Sequence, residues 1–314
     1  MKTIQTLKPL VLTTFLCMGP LGACAETNQK EEKATTQIAA KQTEANTEKI
    51  LAEFFQPYAT KKTLDLNDKD YADLLKTYVR PGPTGIHLFD YKGVSDADRQ
   101  KLTRYLRYLQ SIDPALLTQT QQFAFFANLY NAKTLDVILT AYPVKSIKEV
   151  EPQGGKKGIV GALTDDGPWK AKNMKLKGKM LSLDDVEHNI LRKNMNDPRV
   201  HYAVNCASIG CPNLQTAPWK ASTLDAALNE AARAYVNHPR GVQVKANGDV
   251  VASSIYKWFQ EDFGKDDKDV LLHLQKYATG QTAEMLKDKL KIAEYDYDWG
   301  LNEINEKNLQ RSYD

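Results

Sequence analysis

The sequence predicts a mainly helical α+β fold, a single domain whose strands come as short antiparallel hairpins. Three observations carry that expectation. Apolar residues recur three and four apart along most of the chain, the spacing of one helix face. The short apolar pairs of segments flank two-residue turns, Lys177-Gly178 and Asn247-Gly248, as hairpins require. No internal repeat is visible, so a solenoid is not expected. With 42% hydrophobic residues in 314, the chain can bury a core.

Residues 1–24 read as an address. A basic start with Lys2 and Lys8 precedes the apolar run Pro9 to Met18, too short to cross a bilayer and suited to a signal peptide. Leu21-Gly22-Ala23-Cys24 resembles a bacterial lipobox, which makes Cys24 the expected lipidation site and the membrane the expected partner. Ala23-Cys24-Ala25 also fits an ordinary signal-peptidase site. Either cleavage gives an exported protein, in the periplasm or at the cell surface. Residues 25–48 are polar and lack aromatics, and are expected to form a flexible tether.

The folded part is expected from residue 49. Its first section, 49–119, is helical. Ile50, Leu51, Phe54 and Phe55 share one face, and Tyr71, Leu74, Leu75 and Tyr78 the next. Pro81-Gly82-Pro83 opens a loop through His87-Leu88-Phe89. Ser95 caps a helix by accepting from the amide of Asp98, with Leu102, Tyr105, Leu106 and Leu109 inward. Gln121 to Leu139 is the following helix, ended by Pro143. Glu151 to Pro168 holds five glycines and reads as a surface loop, or as a lid; it lacks the Gly-Lys-Ser/Thr of a phosphate loop. Met174–Leu181 is a hairpin, and Ser182 with Asp185 caps the helix after it. Val200 to Asn205 alternates like a strand. Leu224 to Val236 is helical. Val242–Val251 is a hairpin, Ser253 or Ser254 caps a helix, Val270 to Tyr277 is the last helix, and Ile292 to Leu301 a final strand. Residues 303–314 are a tail.

Lys and Arg number 42 against 39 Asp and Glu, a net charge of +3. Such a balance leaves no basic stripe, so nucleic acid is not expected as a partner. The chemistry concentrates between Ser182 and Cys211. On an α-helical wheel Glu187 falls among Leu183, Val186, Ile190 and Leu191, where a carboxylate must pair, be protonated or coordinate. His188 lies at the edge of that face. Beyond them stands His201, then Cys206 and Cys211-Pro212, at four-residue spacings. On the expected strand Cys206 sides with apolar residues and Cys211 lies in a more accessible loop, beside Gly210, where backbone amides can approach a ligand.

Three readings stay open. A Cys206–Cys211 disulfide suits an oxidising compartment and a non-enzymatic envelope binding module. A thiolate nucleophile at Cys211, with His188 or His201 as base and Glu187 or Asn131 as orienter, suits a thiol-dependent hydrolase or acyl transferase on peptide or amide bonds. Zinc held by the cysteines and a histidine suits a metal hydrolase, although no cofactor is required. Asn128 and Asn131 share a helix face, where they could hold loop backbone, orient the histidine or donate to an oxyanion. Trp169, Trp258 and Trp299 read as core, and His87, His238 and His273 as surface or core histidines.

The segments Phe125–Ala132, Leu181–Arg192 and His201–Pro212, with the closing Tyr297–Asn302, resemble the domain of unknown function 547 family over roughly 120–302. The resemblance maps its Asn pair to Asn128 and Asn131, its Glu-His pair to Glu187 and His188, and its cysteines to Cys206 and Cys211. It implies no settled activity, but it suggests that these clusters belong to one site.

Overall fold

The computed structural model describes residues 55, 64–151 and 167–313, all within the compact unit Ile50–Asp314. The expected address at 1–24, the tether at 25–48 and nearly all of the glycine-rich loop lie outside the described residues.

The first helix among the described residues, α1 (Lys69–Tyr78), buries Tyr71, Leu74, Leu75 and Tyr78 as its spacing requires. The segment read as a loop is instead a hairpin: β1 (Val79–Pro81) pairs antiparallel with β2 (His87–Phe89). Pro81 is tolerated because it ends its strand, where its missing N–H interrupts no ladder. Helix α2 (Asp96–Ser111) starts as expected, the Ser95 side chain accepting from the Asp98 amide at 3.2 Å.

The centre of the molecule is α3 (Gln119–Ala141). A capping box between Thr118 and Gln121 starts it. Residues are buried all round it, Phe125, Phe126, Leu129 and Tyr130 among them, so it is a core helix rather than a surface one. Each such aromatic or leucine contributes about 1.5–3 kcal/mol through burial. One core runs from Phe55 to Leu301 around this helix.

After α3 comes the expected hairpin, β3 (Met174–Leu176) with β4 (Lys179–Leu181). Lys177 and Gly178 both take positive φ, the geometry of a tight two-residue turn. The Ser182–Asp185 box forms: the Ser182 hydroxyl accepts from the Asp185 amide, and Asp185 accepts from the Ser182 amide at 2.7 Å. Lys172 pairs with the same carboxylate. The next element is a π-helix, Asp185–Arg192, and not the α-helix that the wheel assumed.

The expected strand at 200–205 does not form. Val200–Ala203 is a short helix, α4, and only the residues after it are extended. Helix α5 (Leu224–Val236) has the expected bounds. Strands β5 (Val242–Val244) and β6 (Val250–Ser253) form the Asn247-Gly248 hairpin. Ser253 accepts from the amide of Ile255, beginning two one-turn helices, α6 (Ile255–Trp258) and α7 (Gln260–Phe263). Helix α8 (Asp267–Tyr277) forms where expected but is not the last: α9 (Gly280–Leu286) follows, and Glu306–Leu309 makes one more helical turn in the tail. The final strand is short: β7 (Glu294–Asp296) adds parallel to β6, the exception among antiparallel pairs. The tail is not loose. Ile304 donates to Phe89 O, and Asn308 donates to Leu301 O at 3.0 Å.

Candidate functional site

A cleft of about 180 Å³ lies where the π-helix, the 200–212 segment, α6 and the 297–299 stretch meet. Glu187, His188, His201, Cys206 and Cys211 all line it. Five of the expected site residues therefore converge, from positions up to 24 apart in sequence.

The cysteine loop is held from behind. Asn131 donates to Ala203 O at 2.9 Å and accepts from the Asn205 amide at 2.8 Å. Asn205 in turn donates to Pro212 O, and its oxygen accepts from the Ala207 amide. Asn128 does the same for Trp219, bonding both its backbone N–H and C=O. Asn131 thus orients no histidine; both ends of its amide bind loop backbone. Ala207 sits buried at φ +62, a left-handed conformation uncommon for a residue with a side chain. Such strain persists only where the surroundings over-determine it.

Gly210 serves a different purpose from the expected one. Its amide donates to Asp298 O, and a Cβ there would meet the Tyr297 ring at 2.8 Å. Glycine lets Tyr297 reach the sulfurs. The Tyr297 hydroxyl stands 3.1 Å from Cys211 Sγ, 3.2 Å from Cys206 Sγ and 2.7 Å from Ser208 Oγ. The exposures also correct the sequence reading: Cys211 is buried and Cys206 partly exposed. Both are free thiols.

The two sulfurs are not equivalent. The amide of Cys206 donates to Cys211 Sγ at 3.0 Å, and an amide can only donate. Burial pushes the Cys211 thiol up. Hydrogen bonds from the Cys206 thiol, Ser208, Tyr297 and the Cys206 amide outweigh it and bring Cys211 below the ordinary thiol range. The hydrogen bond to Cys211, together with burial, pushes Cys206 well up. Burial and the nearby cysteines also raise Tyr297, which stays a donor. Behind the loop, Arg240 donates to Ile209 O at 3.0 Å and to Asn213 Oδ1, straddling Cys211 in sequence. No carboxylate among the described residues pairs with this guanidinium, and its Nε is buried without a partner.

The histidines divide. His201 is fully buried and stacks on Phe259, with centroids 4.3 Å apart. Its Nε2 donates to Asp262 at 2.6 Å, and its Nδ1 stands 3.8 Å from Glu187 Oε1. Burial lowers its pKa despite both acids. Burial would raise Asp262, but hydrogen bonds from His201 and Arg192 bring it down to about 2. His188 is half-buried. Its Nε2 lies 3.8 Å from Asp184 Oδ1, and its buried Nδ1 has no hydrogen-bond partner. Among the described residues no imidazole hydrogen-bonds to either sulfur.

Trp169, Trp258 and Trp299, expected in the core, line the cleft with Tyr297 and Phe259. Asp184, Asp262, Ser208, Arg240 and Tyr297 did not stand out in the sequence. Asp184 was findable, lying four residues before His188 on a helix; the others come from distant segments that carry no local signal. Among the described residues no group of three or more His, Cys, Asp or Glu is placed to hold a metal ion.

Residues 114–236 match the model of a family described as protein of unknown function, DUF547. The chain carries a DUF547 domain. The matched stretch holds both asparagines, Asp184, Glu187, His188, His201 and both cysteines. Asp262, Trp258, Tyr297 and Trp299 lie beyond it, so the cleft is completed by chain outside the DUF547 match. No curated protein and no solved structure matches the chain.

Proposed function

We propose that the cleft is a thiolate centre for acyl transfer, a thiol-dependent hydrolase or acyl transferase acting on an amide. The observation that carries this reading is the polar shell of Cys211 Sγ: the Cys206 amide donates at 3.0 Å and Ser208 Oγ at 3.5 Å, and the Tyr297 hydroxyl stands 3.1 Å away. Donors aimed at sulfur favour the thiolate, the nucleophilic form. Arg240, without a carboxylate, adds positive potential behind it.

His188 is the base in this reading, because its Nδ1 is uncommitted while His201 already faces two carboxylates. Asp184 is its orienter, in place of Glu187 or Asn131. Loose pairs of this kind tighten when substrate binds. In the step, the Cys211 thiolate bonds to the amide carbon, the C–N bond breaks, and protonated His188 gives its proton to the leaving amine. Water then attacks the thioester, losing a proton to His188 and releasing the acid and the thiolate.

The test is turnover of p-nitrophenyl acetate by the full chain and by Cys211→Ser, Cys206→Ser and Asp184→Asn. The reading expects an acetyl adduct on Cys211 by mass spectrometry, lost in Cys211→Ser and slowed in Asp184→Asn. Acetylation unaffected by Cys211→Ser contradicts it.

A second reading keeps a Cys206–Cys211 disulfide in a binding module, favoured by the single hydroxyl within 3.2 Å of both sulfurs. A mass gain of about two protons on reduction, with no acetyl adduct, selects it. Metal analysis of the purified protein decides zinc. Export with Cys24 lipidated belongs to the same proposal, tested by fatty-acid labelling of the chain and of Cys24→Ala.

A further inference from the structure

Glu187 is 8% exposed and faces the cleft. A carboxylate so buried needs a counter-charge. Among the described residues no Lys or Arg pairs with it. Its neighbours are the His201 ring at 3.8 Å, which burial favours as neutral, and the Tyr130 hydroxyl. Asp184 lies on the same wall. Burial raises its pKa, the His188 charge lowers it, the Glu187 charge raises it further, and Lys170 lowers it less. Two acids thus repel one another on one side of the cleft. None of the described lining residues is Lys or Arg.

Much of the remaining lining is aromatic. Trp258 packs 5.5 Å from Trp299 and 4.8 Å from Tyr297, centroid to centroid, and remains 48% exposed at the mouth. Indole faces attract cations. The chain uses Trp299 this way itself, with Lys148 Nζ 4.8 Å from the ring centroid. The cleft, at about 180 Å³, is a little larger than a cavity of about 150 Å³ that takes benzene. It therefore admits one side chain or a small amine.

We infer that the cleft binds a primary ammonium on an alkyl stem, with Glu187 as counter-ion and Trp258, Trp299 and Tyr297 around the stem. The inference rests on the acyl-transfer reading only in naming what that substrate carries. Binding itself needs no thiol.

The experiment titrates the full-length Cys211→Ser chain, following tryptophan fluorescence. The probes are N-acetyl-lysine methylamide, pentylamine and the uncharged N-acetyl-norleucine methylamide. The lysine probe is expected to bind at least about tenfold tighter than the norleucine probe. Wild-type protein should show the same ratio, and Glu187→Gln should reduce it to near one. Equal binding of pentylamine and the lysine probe supports a free amine; preference for the latter supports a lysine-like side chain. Norleucine binding as tightly, neither probe binding at millimolar concentration, or Glu187→Gln leaving the ratio intact overturns the inference. So does a micromolar affinity for zinc alone that Glu187→Gln abolishes. If Cys211 proves unreactive while the lysine preference holds, the acyl-transfer reading falls and this one stands.

Discussion

At the scale of single residues, neighbours decide what a sulfur can do. Cys211 and Cys206 are five apart and touch the same tyrosine hydroxyl, yet the amide of Cys206 points at one sulfur only. Arg240 acts in the same direction. A guanidinium buried without a carboxylate is costly unless some other negative group faces it, and Cys211 is among the groups that attract it. Replacing Arg240 with Met should raise the Cys211 pKa by about one unit, and Arg240→Lys should restore most of the difference. The pH dependence of thiolate absorbance in a Cys206→Ser background reads both; an unmoved midpoint in Arg240→Met counts against the role. None of this was legible in the sequence. Cys206 and Cys211 stood out by type and spacing, but their order of exposure came out reversed, because the residues before them coil into α4 instead of alternating as a strand.

At the scale of elements, two devices build the cleft. The π-helix Asp185–Arg192 replaces i→i+4 bonds with i→i+5 bonds, and such segments recur at functional sites. The wheel still placed Glu187 correctly, among the buried residues of that element. It also set His188 at the edge of that face, and His188 does line the cleft. The second device is the clamp from α3. Asn131 satisfies the buried amide of Asn205, and a lost partner there costs about 1–3 kcal/mol. Asn131→Ala should lower stability by that amount, seen as a lower urea midpoint. It should also leave His188 in place, because Asn131 touches only loop backbone. A variant as stable as wild type would show the clamp to be idle. The asparagine pair was readable as buried amides needing partners; which partners was not, because the loop lies more than 70 residues away.

At the scale of the molecule, most of the described helices and two of the three described hairpins were legible from caps, turns and periodicity, as with Ser95, Lys177-Gly178 and Leu224–Val236. The β1–β2 hairpin was missed because prolines and glycines between short strands carry little strand signal, and the docked tail because its contacts are all long-range. Acid should act on the whole fold. Burial, with Arg240, holds His238 down to about 4, and burial, with Lys276, holds His273 there too. Burial lowers His87 and His201 as well. These rings are neutral when folded, whereas the unfolded chain takes up protons below about pH 6.5. Their contribution is therefore complete above pH 6.5 and is lost progressively as pH falls towards 4. Urea midpoints at pH 7.5 and 5 should differ, with the acid value lower; equal midpoints would refute it.

The central claim is a stabilised thiolate on Cys211. It is tested most directly by the pH dependence of iodoacetamide alkylation under reducing conditions, with each cysteine mapped by mass spectrometry. Cys211 is expected to react first, with a midpoint at least one unit below the ordinary thiol value of about 8.5, and Tyr297→Phe to raise that midpoint. Cys206 reacting first, or Cys211 titrating at the ordinary value, would contradict it.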